Sequence, residues 1–181
     1  KEGIMKVIDT EGDNYLGGKN LDLAIVDEII IPHIKENNSI DLILENEIKK
    51  TAFQEAMKSF AEEAKIAMSF NETHNILPDL DCELEDDDGE EIEVDITVTK
   101  NMMREVFSPI FQKAVDITKA LLERNHVDNS SLKALILVGG PTYSPILREM
   151  LTEQIIKPDT TVDPMTVVSK GAALFAATID V

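Results

Sequence analysis

The stretch Ala134-Leu135-Ile136-Leu137-Val138-Gly139-Gly140 decides the predicted fold of this chain. Its five consecutive apolar residues predict a strand that is covered on both faces, as in a parallel α/β sheet. The two glycines end the strand, and Ser144-Pro145 then predicts a helix, with serine as the N-cap and proline at the first helical position. This order predicts a ligand site at the carboxyl edge of a sheet.

Gly139 and Gly140 are the first candidate site residues. Because they lack side chains, a sugar or phosphate group can approach the main chain, and free amides at the start of the next helix favour an anion. A tight turn that needs glycine is the more frequent explanation, since glycine pairs after strands are common. Spacing alone leaves both interpretations open.

Two long helices are predicted before this strand. Residues 45–69 predict the first helix, because apolar residues recur there every three or four positions. This apolar stripe consists of Phe53, Met57, Phe60, Ala64 and Ala67. Thr99 predicts the cap of the second helix, which should run to about Arg124 and be kinked or split at Pro109.

A β-hairpin is predicted between these helices, with residues 76–84 pairing with residues 92–99 across an acidic turn at 85–91. Apolar residues alternate with polar ones along the second strand, so one face should be buried. The alternating apolar residues are Ile92, Val94, Ile96 and Val98. The acidic turn is expected to be solvated.

The two ends of the chain give weaker signals. Residues 3–8 alternate as in a strand, and the chain begins with Lys1 instead of Met, so we expect a piece of a longer protein. Gly17-Gly18 precedes a helical pattern that Pro32 should bend or end. Asp163-Pro164 predicts the start of a last helix, which should end near Ala177.

Composition excludes several classes of function. The 181 residues include 17 basic and 35 acidic ones, a net charge of −18 that disfavours nucleic acid and anionic membranes as partners. We expect a cytoplasmic protein. Cys82 is the single cysteine, so no internal disulfide is expected, and a half-buried strand position explains it better than a nucleophile or a zinc ligand. The three histidines are too dispersed in the sequence to predict a metal site or an acid–base pair.

A second candidate site lies on the first long helix. Glu62, Lys65 and Ser69 are spaced by three and four residues, which places them on one face, opposite the apolar stripe. They could face a cleft, or they could form a solvated face with an ordinary Glu–Lys pair. The glycine spacings of a P-loop or a dinucleotide fingerprint do not occur in the sequence.

Several segments resemble the DnaK-type (seventy-kilodalton) heat-shock chaperone family, in the same order and over almost the whole chain. These are GDNYLGG at 12–18, EEAKIAMS at 62–69, LVGGPT at 137–142, and DP at 163–164 with GAA at 171–173. The resemblance implies the C-terminal lobe of an actin-like ATPase domain. Its α/β fold would have a base subdomain (1–16 and 108–181), with a mixed sheet flanked by helices, and a smaller helix-and-hairpin subdomain (17–107).

The resemblance also implies that the chain binds an adenine nucleotide, ATP or ADP. The implied contacts from the smaller subdomain are Glu62, Lys65, Ile66 and Ser69, and those from the base are Gly139, Gly140, Pro141, Tyr143 and Met165. Tyr143 stands where the family usually has an arginine that packs on adenine, and its aromatic face could stack instead. Pro141 replaces a small polar residue, and Met165 stands where the family often has an aspartate.

The implied parent protein couples ATP binding and hydrolysis to binding and release of unfolded polypeptides. The family's magnesium ligands and catalytic lysine lie mostly upstream of Lys1, and its substrate-binding domain follows Val181. We therefore expect no catalytic or metal-binding residue and no hydrolysis by this chain alone. A nucleotide-exchange factor would bind the smaller subdomain.

Two alternatives remain open at this point. The parent could be a nucleotide-insensitive relative in which this lobe is a docking module for exchange factors. It could also be another actin-like ATPase or a sugar kinase, since a fold does not fix a function.

Overall fold

The computed structural model describes residues 6–14, 16–77 and 84–177. The chain divides into two compact units, which we call the terminal unit (Lys1–Leu16 with Ile110–Val181) and the central unit (Gly17–Pro109). Cys82, part of the predicted hairpin and the beginning of the predicted first strand lie outside the described residues. Residues 6–8 form no strand.

The central unit begins with a helical segment that passes through Pro32. It comprises α1 (Gly18–Ile25), a π-helical segment (Val26–Ile30) and α2 (Ile31–Asn37). Of the two predicted effects of Pro32, bending or ending the helix, the structure contradicts the second, because this proline lies in the first turn of α2, where a missing N–H is tolerated. The π-helical hydrogen bonds change the helical register just before it.

The first predicted long helix is confirmed as α4 (Glu47–Ala67), which follows the short α3 (Asp41–Glu45). Asn46 caps α4, because its side-chain oxygen accepts from the N–H groups of Ile48 and Lys49, each at 3.1 Å. The buried stripe differs from the predicted one at two positions. Phe60 and Ala67 are only half-buried, and their neighbours Ala61 and Met68 are buried instead. The buried members are Phe53, Met57, Ala61 and Ala64.

A two-stranded antiparallel sheet follows α4. β1 (Thr73–Ile76) pairs with β2 (Ile96–Thr99), and Thr73 lies opposite Thr99. The predicted buried face is confirmed, although the paired segment is shorter than predicted. All four alternating residues are buried, namely Ile92, Val94, Ile96 and Val98.

The acidic turn, which the sequence predicts to be only solvated, also accepts hydrogen bonds from a distant segment of the chain. The Asp87 carboxylate accepts from the N–H groups of Leu42 and Ile43, at 2.8 and 3.1 Å, and so satisfies donors at the start of α3. The Asp86 carboxylate accepts from Ser39 N–H at 3.3 Å. These partners lie more than 40 residues away in the chain, which is why local sequence reasoning missed them.

The second predicted long helix is confirmed as α5 (Lys100–Arg124). Thr99 Oγ1 accepts from Met102 N–H at 3.4 Å, in agreement with its predicted capping role. Pro109 does not split this helix, which continues through it. Beyond Pro109, Arg124 at the end of the helix binds Asp9 and Glu11, at 2.8 and 2.6 Å.

Two further helices belong to the terminal unit, α6 (Pro145–Gln154) and α7 (Val167–Ala176). Ser144 precedes α6 as predicted, but its side chain makes no capping hydrogen bond. Asp163 begins a turn before α7 instead of the helix itself, whose N-cap is Thr166. α6 contributes buried residues to the core of this unit, whereas α7 contributes none.

The apolar run 134–138 does not form the covered strand that the sequence predicts. Within the described residues, its only ladder contact is a single parallel bridge between Ile136 and Asp159, and the side chains of Ile136 and Val138 are each 51% exposed. A strand that is apolar on both faces is buried only when a layer covers each face. The described residues of this unit supply no layer over Ile136 and Val138.

The described chain is therefore mixed helix and strand, with a small antiparallel sheet in the central unit. No helix among the described residues has both the length and the apolar character that a membrane span requires.

Candidate functional site

The first candidate set lies on the last turns of α4, in the central unit. Ser69 Oγ donates to the carbonyl oxygen of Lys65 at 3.1 Å, so the end of the helix holds these two residues together. Glu62 is exposed and approaches the Lys65 ammonium no closer than 4.0 Å. Ile66, the apolar member of the set, is 54% exposed. The helix thus brings all four predicted residues together.

Lys65 is not a free cation, because it forms an ion pair with Asp22 of α1. Its Nζ lies 2.6 Å from Asp22 Oδ1, and the two side chains are only 14% and 5% exposed. A largely buried ion pair is sensitive to the loss of either partner, since the other charge is then buried alone. Asp22 therefore fixes the position of the Lys65 ammonium.

Sequence reasoning missed Asp22. The available signal was its position beside Leu21 and before Ile25, on the apolar side of α1. A charged residue at such a position needs a partner when it is buried. The sequence could not identify this partner, which lies 43 residues away.

The second candidate set lies on residues 139–143 of the terminal unit, which we call the glycine turn. Gly139 has a φ of +95°, a conformation that favours glycine. Its N–H donates to Pro164 O at 3.0 Å, which joins the turn to the segment before α7. Gly140 faces Met165, because a Cβ atom added to Gly140 would lie 3.8 Å from the methionine sulfur.

Tyr143 ends the glycine turn and is fixed by two residues that sequence reasoning did not assign. Its hydroxyl donates to Asp163 Oδ1 at 2.6 Å. The guanidinium carbon of Arg148 lies 5.5 Å from the centroid of the Tyr143 ring, within cation–π range. The expected cation is thus absent from position 143, but a guanidinium contacts the aromatic ring that replaces it.

The hydrogen bond between Tyr143 and Asp163 changes the pKa of both groups. It raises the pKa of the Tyr143 phenol, because the bond favours the protonated form. It lowers the pKa of the Asp163 carboxyl, which also accepts from Met165 N–H and Thr166 Oγ1, at 3.0 and 2.9 Å. Both groups therefore keep their ordinary charge states at neutral pH.

The two candidate sets belong to different units, and the residues within each set lie close together. Across residues 6–14, 16–77 and 84–177, no three His, Cys, Asp or Glu side chains are grouped so that they could hold a metal ion.

Comparison with known proteins gives one family. A family model described as Hsp70 protein matches residues 1–180. The chain is also 30% identical over 179 residues to a Chaperone protein DnaK of Nitrosopumilus maritimus (strain SCM1). This match covers 98% of the chain but only 27% of that relative, so the chain spans about a quarter of its length. The chain belongs to the Hsp70 family.

Proposed function

We propose that this chain is an adenine-nucleotide-binding lobe of a molecular chaperone. The complete protein would couple ATP binding and hydrolysis to the binding and release of unfolded polypeptides. Family membership supports the chaperone class. The activity is proposed for the complete protein, since the chain matches only 27% of its DnaK relative.

The observation that carries the nucleotide proposal is the conformation of the glycine turn. Gly139, with a φ of +95°, places a stretch of main chain beside a half-buried aromatic ring, and no Cβ atom blocks the approach at Gly139 or Gly140. Close approach to a main chain and stacking on a ring are both suited to a nucleoside. Pro141 and Met165 add apolar contacts to the same surface.

On α4, Lys65 and Ile66 suit a nucleoside in different ways. An ammonium group has three donor protons, and the ion pair with Asp22 orients this group without using all three. A lysine held in this way can donate to a ribose hydroxyl. The exposed side chain of Ile66 can contact a base.

The candidate residues fit the nucleoside better than the triphosphate. The charge of Lys65, the only cation of the predicted set, is neutralised by Asp22. Electrostatic stabilisation of phosphoryl transfer needs cations and a metal ion placed together. We therefore propose that the phosphate and Mg²⁺ ligands come from the rest of the complete protein, and that this chain alone does not hydrolyse ATP.

A charge placed at Ile66 tests the nucleotide proposal. We expect Ile66→Asp to weaken ATP binding about tenfold or more in calorimetric titrations, because it removes an apolar contact and adds a charge that repels phosphate. Ile48→Asp is the matched control, since Ile48 is 82% exposed near the other end of the same helix. Equal effects of the two substitutions, or no ATP binding by the unmodified chain, would contradict the proposal.

A second candidate function is a docking module for a nucleotide-exchange factor, in a relative that ignores nucleotides. The internal pairing of Lys65 with Asp22 favours it, because the cation of the site is already neutralised. A purified exchange factor of the DnaK system distinguishes the two functions by its affinity for this chain. Binding that saturating ATP leaves unchanged supports the docking function, whereas release by ATP supports the nucleotide-binding function.

A further inference from the structure

Met165 differs from the other described methionines in its access to solvent. It is 64% exposed, and it is the one exposed methionine among the residues that the structure describes. Met102 is half-buried. The buried methionines, none of which is more than 9% exposed, are Met57, Met68, Met103 and Met150. An oxidant dissolved in water therefore reaches Met165 far more easily than these four.

The Met165 sulfur lies against the glycine turn. It faces Gly140, since a Cβ atom added to this glycine would lie 3.8 Å from the sulfur. Met165 is also held through its main chain, because its N–H donates to Asp163 Oδ1 at 3.0 Å. The preceding residue, Pro164, accepts from Gly139 N–H at 3.0 Å. The segment that carries the thioether is thus bonded to the turn.

A thioether reacts with hydrogen peroxide without help from a base, because its polarisable sulfur carries a lone pair. The lone pair attacks one peroxide oxygen, so the S–O bond forms as the O–O bond breaks. The transferred oxygen gives its proton to the departing oxygen, which leaves as water. Sulfur is oxidised by two electrons, the peroxide is reduced, and the product is a polar, chiral sulfoxide.

We propose that Met165 is a peroxide-sensitive modification site, and that its oxidation to the sulfoxide loosens the glycine turn. The sulfoxide oxygen is a polar acceptor that is better solvated by water than by the bare face of Gly140, so the oxidised side chain leaves its contact with the turn. Methionine sulfoxide reductases reverse this oxidation, which makes the change a switch. The inference does not depend on nucleotide binding.

Peptide mapping by mass spectrometry, after graded exposure of the native chain to hydrogen peroxide, tests the site. We expect Met165 to be oxidised at least about tenfold faster than Met57 and Met103. The same treatment in concentrated urea is the control, because unfolding exposes every methionine and should bring the three rates within about threefold of one another. Equal rates in the native chain, or oxidation of Met57 before Met165, would overturn the inference.

Hydrogen exchange tests whether oxidation loosens the turn. We expect the Gly139 amide to exchange at least about threefold faster in the oxidised chain, because its bond to Pro164 O depends on the segment that Met165 anchors. Met165→Gln imitates the polarity of the sulfoxide and should show the same increase without peroxide. Unchanged exchange in both would overturn the loosening of the turn.

Met165→Leu is the matched control for the exchange measurement. It keeps an apolar side chain of similar size that peroxide does not modify. Given the same peroxide treatment, this variant should keep the slow exchange of the untreated chain. An equal increase in Met165→Leu would assign the effect to another methionine and would overturn the proposal.

Discussion

The two units of this chain differ in how completely they bury their apolar side chains. In the central unit, the apolar faces of α1, α4 and the sheet are buried, and Ile25, Met57 and Val98 are inaccessible to solvent. In the terminal unit, α7 has no buried residue, and several large apolar side chains are more than half exposed. These include Ile136, Val138, Val168, Leu174 and Phe175.

The same contrast holds for the candidate site residues. Lys65 is fixed by an ion pair inside the central unit, whereas Tyr143 is fixed by a hydrogen bond and a cation–π contact at the surface of the terminal unit. Interactions removed from water are more sensitive to the loss of a partner than exposed ones. Loss of a buried charge partner in the central unit should therefore appear mainly as lost stability, and changes around Tyr143 mainly as altered ligand binding.

The largest expected effect is that of Asp22→Ala, which leaves the Lys65 ammonium buried without its partner. We expect a loss of about 3–5 kcal/mol in the free energy of unfolding, measured by urea denaturation. Asp41→Ala is the matched control, because Asp41 pairs with Lys35 at 2.8 Å but is 76% exposed. It should cost less than about 1 kcal/mol. Similar losses in both variants would refute the contrast between buried and exposed pairs.

A smaller loss of stability is expected in the glycine turn, where the same substitution can be compared at two adjacent glycines. Gly139→Ala should lower the free energy of unfolding by about 1–2 kcal/mol, because alanine at a φ of +95° is strained. Gly140→Ala should change it by less than about 0.5 kcal/mol, since the new Cβ atom makes only an ordinary contact with Met165. Thermal unfolding of both variants distinguishes a conformational need for glycine from a steric one.

A substitution of His126 is expected to stabilise the protein, by an amount similar to or smaller than the loss expected for Gly139→Ala. His126 follows α5 with a φ of +54°, and the next N–H, of Val127, donates to Leu122 O at 2.9 Å, as in a Schellman motif. Glycine is the residue that this position favours. We expect His126→Gly to raise the free energy of unfolding by about 0.5–1 kcal/mol. His126→Ala keeps the Cβ atom and should give no such gain.

The smallest expected effect is the pH dependence of the bond between Tyr143 and Asp163, because both groups are accessible to water and screened. The raised pKa of Tyr143 means that its contribution to stability is complete below about pH 10 and is lost as the pH rises through the folded-state pKa.

The lowered pKa of Asp163 gives the opposite dependence at acid pH. Its contribution is present above about pH 4 and is lost as the pH falls through the folded-state pKa. The stability difference between the unmodified chain and Tyr143→Phe, measured across pH, should therefore shrink at both extremes. A difference that is independent of pH would show that the bond contributes nothing in solution.

Much of the secondary structure could be predicted from the sequence because it depends on local spacing. The three- and four-residue spacing of Phe53, Met57 and Ala64 predicts α4, and the alternation from Ile92 to Val98 predicts a buried strand face. The apolar run at 134–138 was misleading. Hydrophobicity shows that a segment can be buried, but a neighbouring layer must be present to bury it.

The candidate site could be predicted only in part. The sequence identified the residues on α4 and in the glycine turn, since both lie in short continuous motifs. It did not identify Asp22, Arg148 or Asp163 as the residues that contact Lys65 and Tyr143 and hold their side chains in place. Asp22 and Arg148 are ordinary charged residues in their own segments, and Asp163 was predicted only as the start of a helix and as part of a motif.

By itself, the sequence of this protein determined its family, most of its helices and the motifs that could bind a nucleotide. Only the tertiary structure decided that Asp22 neutralises Lys65 and that Asp87 binds the N–H groups at the start of α3. It also decided that Asp163 and Arg148 hold Tyr143. The physical reason is that helix and strand periodicity are encoded over a few residues, whereas a charge finds its partner only after folding brings distant segments within about 3 Å.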